Sequence, residues 1–91
     1  MLQLFWSDES QDDLLTLIEY VAARNLPAAR SLKEAIEQAV LHLLDHPYLF
    51  RTGRVHGTRE IVVHPNYIIV YQVGNGVIEV LRVLHARRQY P

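Results

Sequence analysis

Three runs rich in valine, isoleucine and tyrosine lie between Gly57 and Leu84, and they are the feature that most limits how this chain can fold. β-branched and aromatic side chains of this kind favour extended strands. Groups of turn-forming residues separate the runs, so each strand is followed closely by the next. The pattern predicts a three-stranded antiparallel meander.

The two breaks between these runs each have a physical reason to turn the chain. In His64-Pro65-Asn66, the proline lacks an N–H and fixes φ, while asparagine tolerates turn geometry. Gly74-Asn75-Gly76 supplies residues that readily adopt the positive φ angles of a tight hairpin. We therefore predict a short turn at each break.

The first quarter of the chain predicts a short strand followed by a helix. The segment from Leu2 to Trp6 alternates weakly, as a strand does. Ser7 or Ser10 is then suited to cap a helix, and Ser10 with Asp13 fits a capping box. Asn25-Leu26-Pro27 ends this helix. The apolar residues that recur at helical spacing are Leu14, Leu15, Ile18, Val21 and Ala22.

The next segment predicts a second helix, whose apolar stripe covers the meander. His46-Pro47 ends this helix, because the residue before a proline avoids the helical conformation. The loop over residues 48–56 carries large apolar side chains that we expect to tuck back onto the core. The stripe consists of Leu32, Ala35, Ile36, Ala39, Val40, Leu43 and Leu44.

The resulting element order is β-α-α-β-β-β. We interpret it as an α+β fold in which an N-terminal strand and a two-helix hairpin pack on an antiparallel sheet. The first strand is expected to join the sheet beside a later strand, and the pattern leaves that neighbour open. Residues 1–91 are expected to form a single domain.

Composition narrows the class of protein. Apolar residues make up 49% of the chain and charged residues 21%, which indicates either a small dense core or apolar surface left for a partner. The chain has no cysteine, no apolar run that could span a bilayer and no basic signal-peptide start. The expected location is therefore the cytoplasm.

Charge is distributed unevenly, although the net charge is only −1. Residues 1–50 hold eight acidic and three basic side chains, a net of −5. Residues 51–91 hold two acidic and six basic side chains, a net of +4. One face is therefore expected to be positive. The alternative is that the two halves neutralise each other across the fold.

The sequence gives little support to a metal or cofactor site. His42 and His46 stand four residues apart, as zinc-binding pairs do, but no glutamate of the hydrolase pattern lies between them. The glycine cluster belongs to a hairpin turn and precedes no helix, so it is not a phosphate-binding loop. We expect no metal and no cofactor.

The strongest candidate for chemistry is a basic group that follows the last run, together with basic residues on the strands and at the first turn. Histidine moves protons near neutral pH, and arginine binds phosphate through paired hydrogen bonds. A metal-free ribonuclease needs that mixture of base, acid and cations. The same mixture also suits an acidic partner. The residues are Arg59, His64, Arg82, His85, Arg87, Arg88 and Tyr90.

These segments resemble the RelE/ParE superfamily of toxins from bacterial toxin–antitoxin modules, and most of all its ParE-like, plasmid-stabilisation branch. The length, the N-terminal strand and the helical hairpin also fit. The resemblance implies a small growth-inhibiting toxin that a cognate antitoxin wraps and neutralises. It depends on the order and spacing of Gly57-x-Arg59-Glu60-Ile61, Asn66-Tyr67-x-Ile69-x-Tyr71-x-Val73 and Ile78-x-Val80-Leu81-Arg82-Val83-Leu84-His85-x-Arg87-Arg88.

The resemblance implies two possible mechanisms, because RelE-like members cut mRNA in the ribosome and several ParE-like members poison DNA gyrase. In the RelE branch an arginine follows the tyrosine that opens the middle strand, whereas here Ile68 follows Tyr67. The lysines of the preceding strand are also absent, which leaves Arg59. We therefore favour a ParE-like toxin that binds a protein target and has no ribonuclease activity. The alternatives are a ribosome-dependent endoribonuclease that needs no metal, or a member that binds its antitoxin without being toxic.

Each hypothesis gives the candidate residues a role. The contacts with a protein target would be Arg82, His85, Arg87, Arg88 and Tyr90. In a ribonuclease, His85 or His64 would move protons, Arg59, Arg82 or Arg87 would bind the phosphate, and Tyr90 would stand near the C-terminal tyrosine of RelE. An antitoxin would cover Leu15, Ile18 and Leu26, whose alternative role is ordinary core. DNA is expected to be contacted only through the antitoxin, and membranes not at all.

Overall fold

The computed structural model of the protein describes residues 2–87. Within them, five strands form one sheet in the order β1-β5-β4-β3-β2. The predicted α+β class is confirmed, and the additional element is β2, a two-residue strand inside the segment predicted as a loop. The elements are β1 (Gln3–Trp6), α1 (Asp8–Ala22), α2 (Leu26–His42), β2 (Arg51–Thr52), β3 (Arg59–His64), β4 (Tyr67–Gly74) and β5 (Val77–His85).

The antiparallel meander of β3, β4 and β5 is confirmed, together with both of its turns. Asn75 and Gly76 have φ values of 53° and 75° and connect the paired residues Gly74 and Val77. Positive φ at both central residues is the hairpin turn whose twist matches that of the flanking strands. The other turn is residues 65–66, between the ends of β3 and β4.

The first strand pairs with β5 and runs parallel to it, from Gln3 opposite Val77 to Trp6 opposite Val80. Parallel pairing needs a long crossover connection. The helical hairpin and the three antiparallel strand pairs β2–β3, β3–β4 and β4–β5 supply that path, so β1 lies at one edge of the sheet and β2 at the other.

The start of α1 differs in part from the prediction. Ser7 is the N-cap, and its Oγ accepts a hydrogen bond from the Ser10 backbone N–H at 3.0 Å. The predicted capping box of Ser10 and Asp13 is wrong, because Ser10 lies inside the first turn, fully buried, and donates from Oγ to the Ser7 carbonyl. Asp13 is therefore available for a contact with the sheet.

The second helix begins at Leu26 and ends earlier than predicted. Asn25 caps it by accepting from the Ala28 N–H at 3.0 Å. The helix ends at His42, before His46-Pro47, because the Leu43 N–H donates to the Val40 carbonyl and so tightens the last turn. The chain then continues through turns to Pro47.

The helical hairpin packs on one face of the sheet, as predicted. Two positions of the predicted stripes differ, because Ala35 and Leu15 are exposed. A smaller cluster of Ile68, Val70 and Leu84 lies apart from the main core. Neither helix in residues 2–87 has the length and hydropathy that crossing a bilayer requires. The main core consists of Leu32, Ile36, Val40, Leu43, Ile61, Ile69, Tyr71, Ile78, Val80 and Val83.

The loop before β2 does not tuck all of its apolar side chains back. Tyr48 and Leu49 are 64% and 65% exposed, so that prediction is wrong for both, whereas Phe50 packs against the core. The reason is that hydrogen bonds to its backbone carbonyls, rather than burial of these two side chains, hold the loop against the sheet. Tyr71 donates from Oη to the Pro47 carbonyl at 2.9 Å, and Arg59 donates to the Phe50 carbonyl at 2.8 Å.

Candidate functional site

The residues predicted to act together lie in three separate places. His64, His85 and Arg87 stand at the end of the sheet where β4 begins. Arg82 is turned toward α1, and Arg59 sits toward the other end of β3, opposite Tyr71. The predicted residues Arg88 and Tyr90 lie outside the described residues.

The first place is a cluster of His64, Tyr67 and His85, called here the histidine cluster. Sheet register creates it, because Tyr67 pairs with His64 on β3 and with His85 on β5. The Tyr67 ring centroid lies 5.4 Å from that of His64 and 5.6 Å from that of His85. Tyr67 also separates two cavities of about 340 and 450 Å³, one on the α1 side and one on the α2 side.

Both histidines of this cluster use Nδ1 as an acceptor. The Asn66 backbone N–H donates to His64 Nδ1 at 3.0 Å, and the Arg87 backbone N–H donates to His85 Nδ1 at 3.1 Å. A neutral imidazole that accepts at Nδ1 carries its proton on Nε2. Each ring therefore presents an N–H from Nε2, and the cluster is suited to donating hydrogen bonds rather than to accepting a proton there.

The second place is the contact between Arg82 and the start of α1. Arg82 donates to the Asp13 carboxylate from Nε at 2.7 Å and from Nη2 at 3.1 Å. Its Nη1 also lies 3.5 Å from Glu9 Oε2. The hydrogen bond to Asp13 raises the pKa of the Arg82 guanidinium above its usual value. At this position the two oppositely charged halves of the chain neutralise each other.

The third place is a cavity of about 590 Å³ beside the β2–β3 connection, called here the basic cavity. Arg59, Arg54 and His56 line it together with Tyr48. Only Arg59 had been predicted as a site residue. A signal for the others was present in the glycine-flanked segment Arg54-Val-His56-Gly57, but its position beside Arg59 depends on the β2–β3 pairing.

Ile68 occupies a buried position. It is 1% exposed and clusters with Val70 and Leu84. The side chain that stands where the RelE branch carries an arginine therefore packs in the interior and offers nothing to a phosphate.

The rings of His42 and His46 lie close together, with centroids 4.7 Å apart. Within residues 2–87, no group of three or more histidine, cysteine, aspartate or glutamate side chains is arranged to hold a metal ion.

The predicted antitoxin contacts differ in exposure. Leu15 and Leu26 are 59% and 51% exposed, whereas Ile18 packs against the core. Large apolar side chains are also exposed elsewhere, including Phe5 and Tyr20. The surplus apolar surface indicated by the composition is therefore present, and its partner stays a prediction.

Comparison with known proteins assigns the chain to a family. The family model described as the ParE toxin of the type II toxin–antitoxin system parDE matches residues 4–90. The chain belongs to the ParE toxin family. Toxin RelE2 of Caulobacter vibrioides is 30% identical over 88 residues, which cover 97% of this chain and 99% of that protein.

Solved structures support the same fold for this ParE-family chain. The chromosomal ParDE toxin–antitoxin system of P. aeruginosa contains a chain that matches with a TM-score of 0.81 and 20% identity, covering 93% of this chain and 96% of that one. A YoeB/ParE toxin from Agrobacterium tumefaciens matches with a TM-score of 0.68 and 18% identity, covering 98% of this chain and all of that one. The family model and the RelE2 relative identify the chain as a toxin of the RelE/ParE superfamily, as the sequence motifs predict.

Proposed function

We propose that this toxin inhibits bacterial growth by binding a protein target, with DNA gyrase as the family expectation, and that a cognate antitoxin neutralises it in the cytoplasm. The observation that supports binding over RNA cleavage is the separation of the groups that a nuclease would bring together. Arg82 is engaged by carboxylates, Arg59 lies well away from the histidine cluster, and Ile68 is buried.

The histidines add a second reason. Cleavage of RNA without a metal needs a base that takes the proton of the 2′-hydroxyl, an acid for the leaving oxygen and cations on the phosphate. In the neutral form, His64 and His85 both carry their proton on Nε2, since Nδ1 accepts from the backbone. The arrangement supplies two donors and no base, and donors of this kind suit a binding surface formed by His85 and Arg87.

The alternative is a ribosome-dependent endoribonuclease. It is favoured by the histidine cluster itself, because two imidazoles flank Tyr67 beside open cavities. For this mechanism one of the rings would have to give up its backbone hydrogen bond and turn over. Arg87 would then be the nearest predicted cation along the chain.

An antitoxin partner is supported by the exposed apolar surface and by the family. The ParDE neighbour from P. aeruginosa is itself a toxin–antitoxin system. Leu15 and Leu26 expose apolar surface on the outer side of the helical hairpin, which an amphipathic segment that folds on binding would cover. Contact with DNA would then come through the antitoxin.

The experiment is induction of the chain alone in a bacterium, followed within minutes by primer extension on abundant transcripts and by topology gels of a reporter plasmid. We expect intact transcripts and altered plasmid supercoiling for the wild type. The double variant His64→Ala/His85→Ala should also leave transcripts intact and should change supercoiling less, because His85 belongs to the proposed binding surface. Purified toxin should also inhibit supercoiling by gyrase in vitro.

Two results would contradict this proposal. New codon-linked 5′ ends that disappear in the double variant would establish the ribonuclease instead. Growth arrest with intact transcripts and unchanged supercoiling would exclude gyrase and keep a binding toxin with another target. Circular dichroism of the purified double variant checks that it folds, so that loss of the fold is not mistaken for loss of activity.

A further inference from the structure

We propose that the basic cavity binds a nucleotide, with its phosphates on the arginines and its base on Tyr48. This site is separate from the histidine cluster. Arg59 pairs with Tyr71 across the sheet, and Tyr67 lies four residues before Tyr71 on β4. At the rise of an extended strand, that separation is roughly 13 Å.

The charge of the cavity favours an anion. Arg54, Arg59 and His56 contribute to its wall, and none of the residues that form the wall is acidic. The acid nearest along the chain, Glu60, points to the other face of β3, because successive side chains of a strand alternate. There its carboxylate is held by Arg51 at 2.8 Å. The wall of the cavity therefore carries basic side chains and no acidic one, which favours an anionic ligand.

Arg59 is held in place without being neutralised. Its Nη1 donates to the carbonyls of Phe50 at 2.8 Å and Tyr48 at 3.3 Å, and its guanidinium lies 5.2 Å from the Tyr48 ring centroid. These partners carry no charge, and the guanidinium has several further N–H donors. An arginine fixed in this way is suited to bind phosphate, since little side-chain freedom remains to be lost.

The loop that carries Arg54 and His56 is itself closed by hydrogen bonds. Gly53 donates from N to the Thr58 carbonyl at 2.8 Å, and Thr58 donates from Oγ1 to the Val55 carbonyl at 2.6 Å. Thr58 is buried, whereas Arg54 and His56 are exposed. Hydrogen bonds across the loop therefore hold its backbone in place, while its two basic side chains remain at the surface.

Tyr48 is positioned to stack on the base of the proposed nucleotide. Its ring lines the cavity and remains 64% exposed, although its backbone is anchored by Arg59. A nucleic-acid base stacks on an exposed aromatic ring regardless of which base it is. The combination of an exposed aromatic ring and two guanidinium groups fits a nucleotide better than it fits inorganic phosphate or a nucleoside.

The test is titration of the ¹⁵N-labelled chain with ATP, with adenosine and with inorganic phosphate, followed by NMR. We expect ATP to shift amides of residues 48–59 in a saturable way, with a Kd of about 1 mM or below. Adenosine and phosphate should each bind about tenfold more weakly. The variants Tyr48→Ala and Arg54→Gln should each weaken ATP binding about tenfold, while the exposed Arg30→Gln on α2 should leave it unchanged.

Three outcomes would overturn the proposal. They are the absence of saturable shifts, shifts that Tyr48→Ala and Arg54→Gln leave unaltered, and equal binding of ATP and inorganic phosphate. Each variant's amide spectrum must retain the dispersed peaks of the wild type for its titration to count. Because the titration involves neither gyrase nor RNA, its result is independent of the proposed function.

Discussion

Asp13 and Arg82 lie 69 positions apart in the chain and form an ion pair that joins α1 to β5. Asp13 Oδ2 accepts from Arg82 Nε at 2.7 Å and also from the Val83 backbone N–H at 3.0 Å. One carboxylate therefore satisfies a guanidinium and a strand amide together. Both side chains are mostly buried, so solvent screens the pair less than it screens a surface ion pair.

Asp13→Ala should lower the free energy of unfolding by about 3 kcal/mol, because it leaves a partly buried guanidinium and the Val83 N–H without their acceptor. Urea denaturation measures the change. The control is Asp12→Ala, an exposed neighbour on the same helix, which should change stability by no more than about 0.5 kcal/mol. Equal losses in the two variants would mean that Asp13 contributes only through general helix charge.

The buried phenol of Tyr71 should make the protein less stable at alkaline pH. Burial raises the pKa of its phenol above the usual 10.0, and the positive charge of Arg59 opposes that rise. The folded state thus favours the neutral phenol, so this contribution is complete below pH 10.0 and is lost as the pH rises through the raised pKa.

Tyr71→Phe should therefore flatten the decline in stability above about pH 10. At neutral pH it should cost about 1 kcal/mol, since the hydrogen bond to the Pro47 carbonyl is lost. Urea denaturation at several pH values measures both effects. Tyr20→Phe, at an exposed position, is the control and should keep the wild-type pH profile. A Tyr71→Phe profile parallel to that of the wild type would show that the phenol is not the titrating group.

Ser7 joins helix α1 to the sheet at the same time as it caps the helix. Its Oγ accepts from the Ser10 N–H and donates to the Leu81 carbonyl at 2.9 Å. Ser7→Ala should lower the free energy of unfolding by about 1.5 kcal/mol, measured by thermal or urea denaturation. Ser31→Ala, on the exposed side of α2, should have almost no effect. A loss below a few tenths of a kcal/mol at Ser7 would argue against both roles.

Gly53 is required by close packing rather than by its φ angle. A Cβ at this position would collide with Thr58 Oγ1, which is held by the Val55 carbonyl. Gly53→Ala should therefore destabilise the chain by about 2 kcal/mol and open the loop over residues 53–58. Gly74→Ala is the matched control, because a Cβ there meets no atom within 4 Å. Hydrogen exchange of the Gly53-to-Thr58 loop amides would report the opening, and unchanged protection would contradict it.

The proposed antitoxin-binding surface on the helical hairpin can be tested by placing charged side chains on it. Leu15→Arg and Leu26→Arg should each weaken binding of the proposed cognate antitoxin by about tenfold or more, because a guanidinium would be buried in an apolar interface. Calorimetry measures the affinity. Leu49→Arg, equally exposed but away from the helical hairpin, should bind like the wild type. If only Leu49→Arg weakened binding, the antitoxin would have to be placed on the loop before β2 instead.

The elements that could be predicted from the sequence are those whose causes are local. Asn75 and Gly76 form a hairpin because few other residue pairs tolerate positive φ at both positions. The stripe that includes Ile36 and Val40 forms a helix face because its spacing matches the helical repeat. The apolar and aromatic residues of the superfamily motifs, from Ile61 to Leu84, likewise lie on β3, β4 and β5, which follow one another both in the chain and in the sheet.

The candidate sites were less predictable, because charge and spacing along the chain do not say which groups meet. Arg82 belonged to the predicted basic group, yet it lies opposite α1 and forms an ion pair with Asp13 there. Tyr48 was expected in the core, yet anchoring of its backbone by Arg59 leaves its ring in solvent beside Arg54 and His56. The capping box at Ser10 failed because Ser7, one turn earlier, already satisfies the end of the helix.

By itself, the sequence determined the meander, the helical hairpin and the family, since turn chemistry, apolar periodicity and motif spacing act over a few neighbouring residues. Only the tertiary structure decided that β1 pairs with β5, that Arg82 is neutralised, and that His64 and His85 meet at Tyr67 while Arg59 faces a different cavity. These outcomes depend on strand register and on long-range packing, in which residues far apart in the chain compete for the same partners.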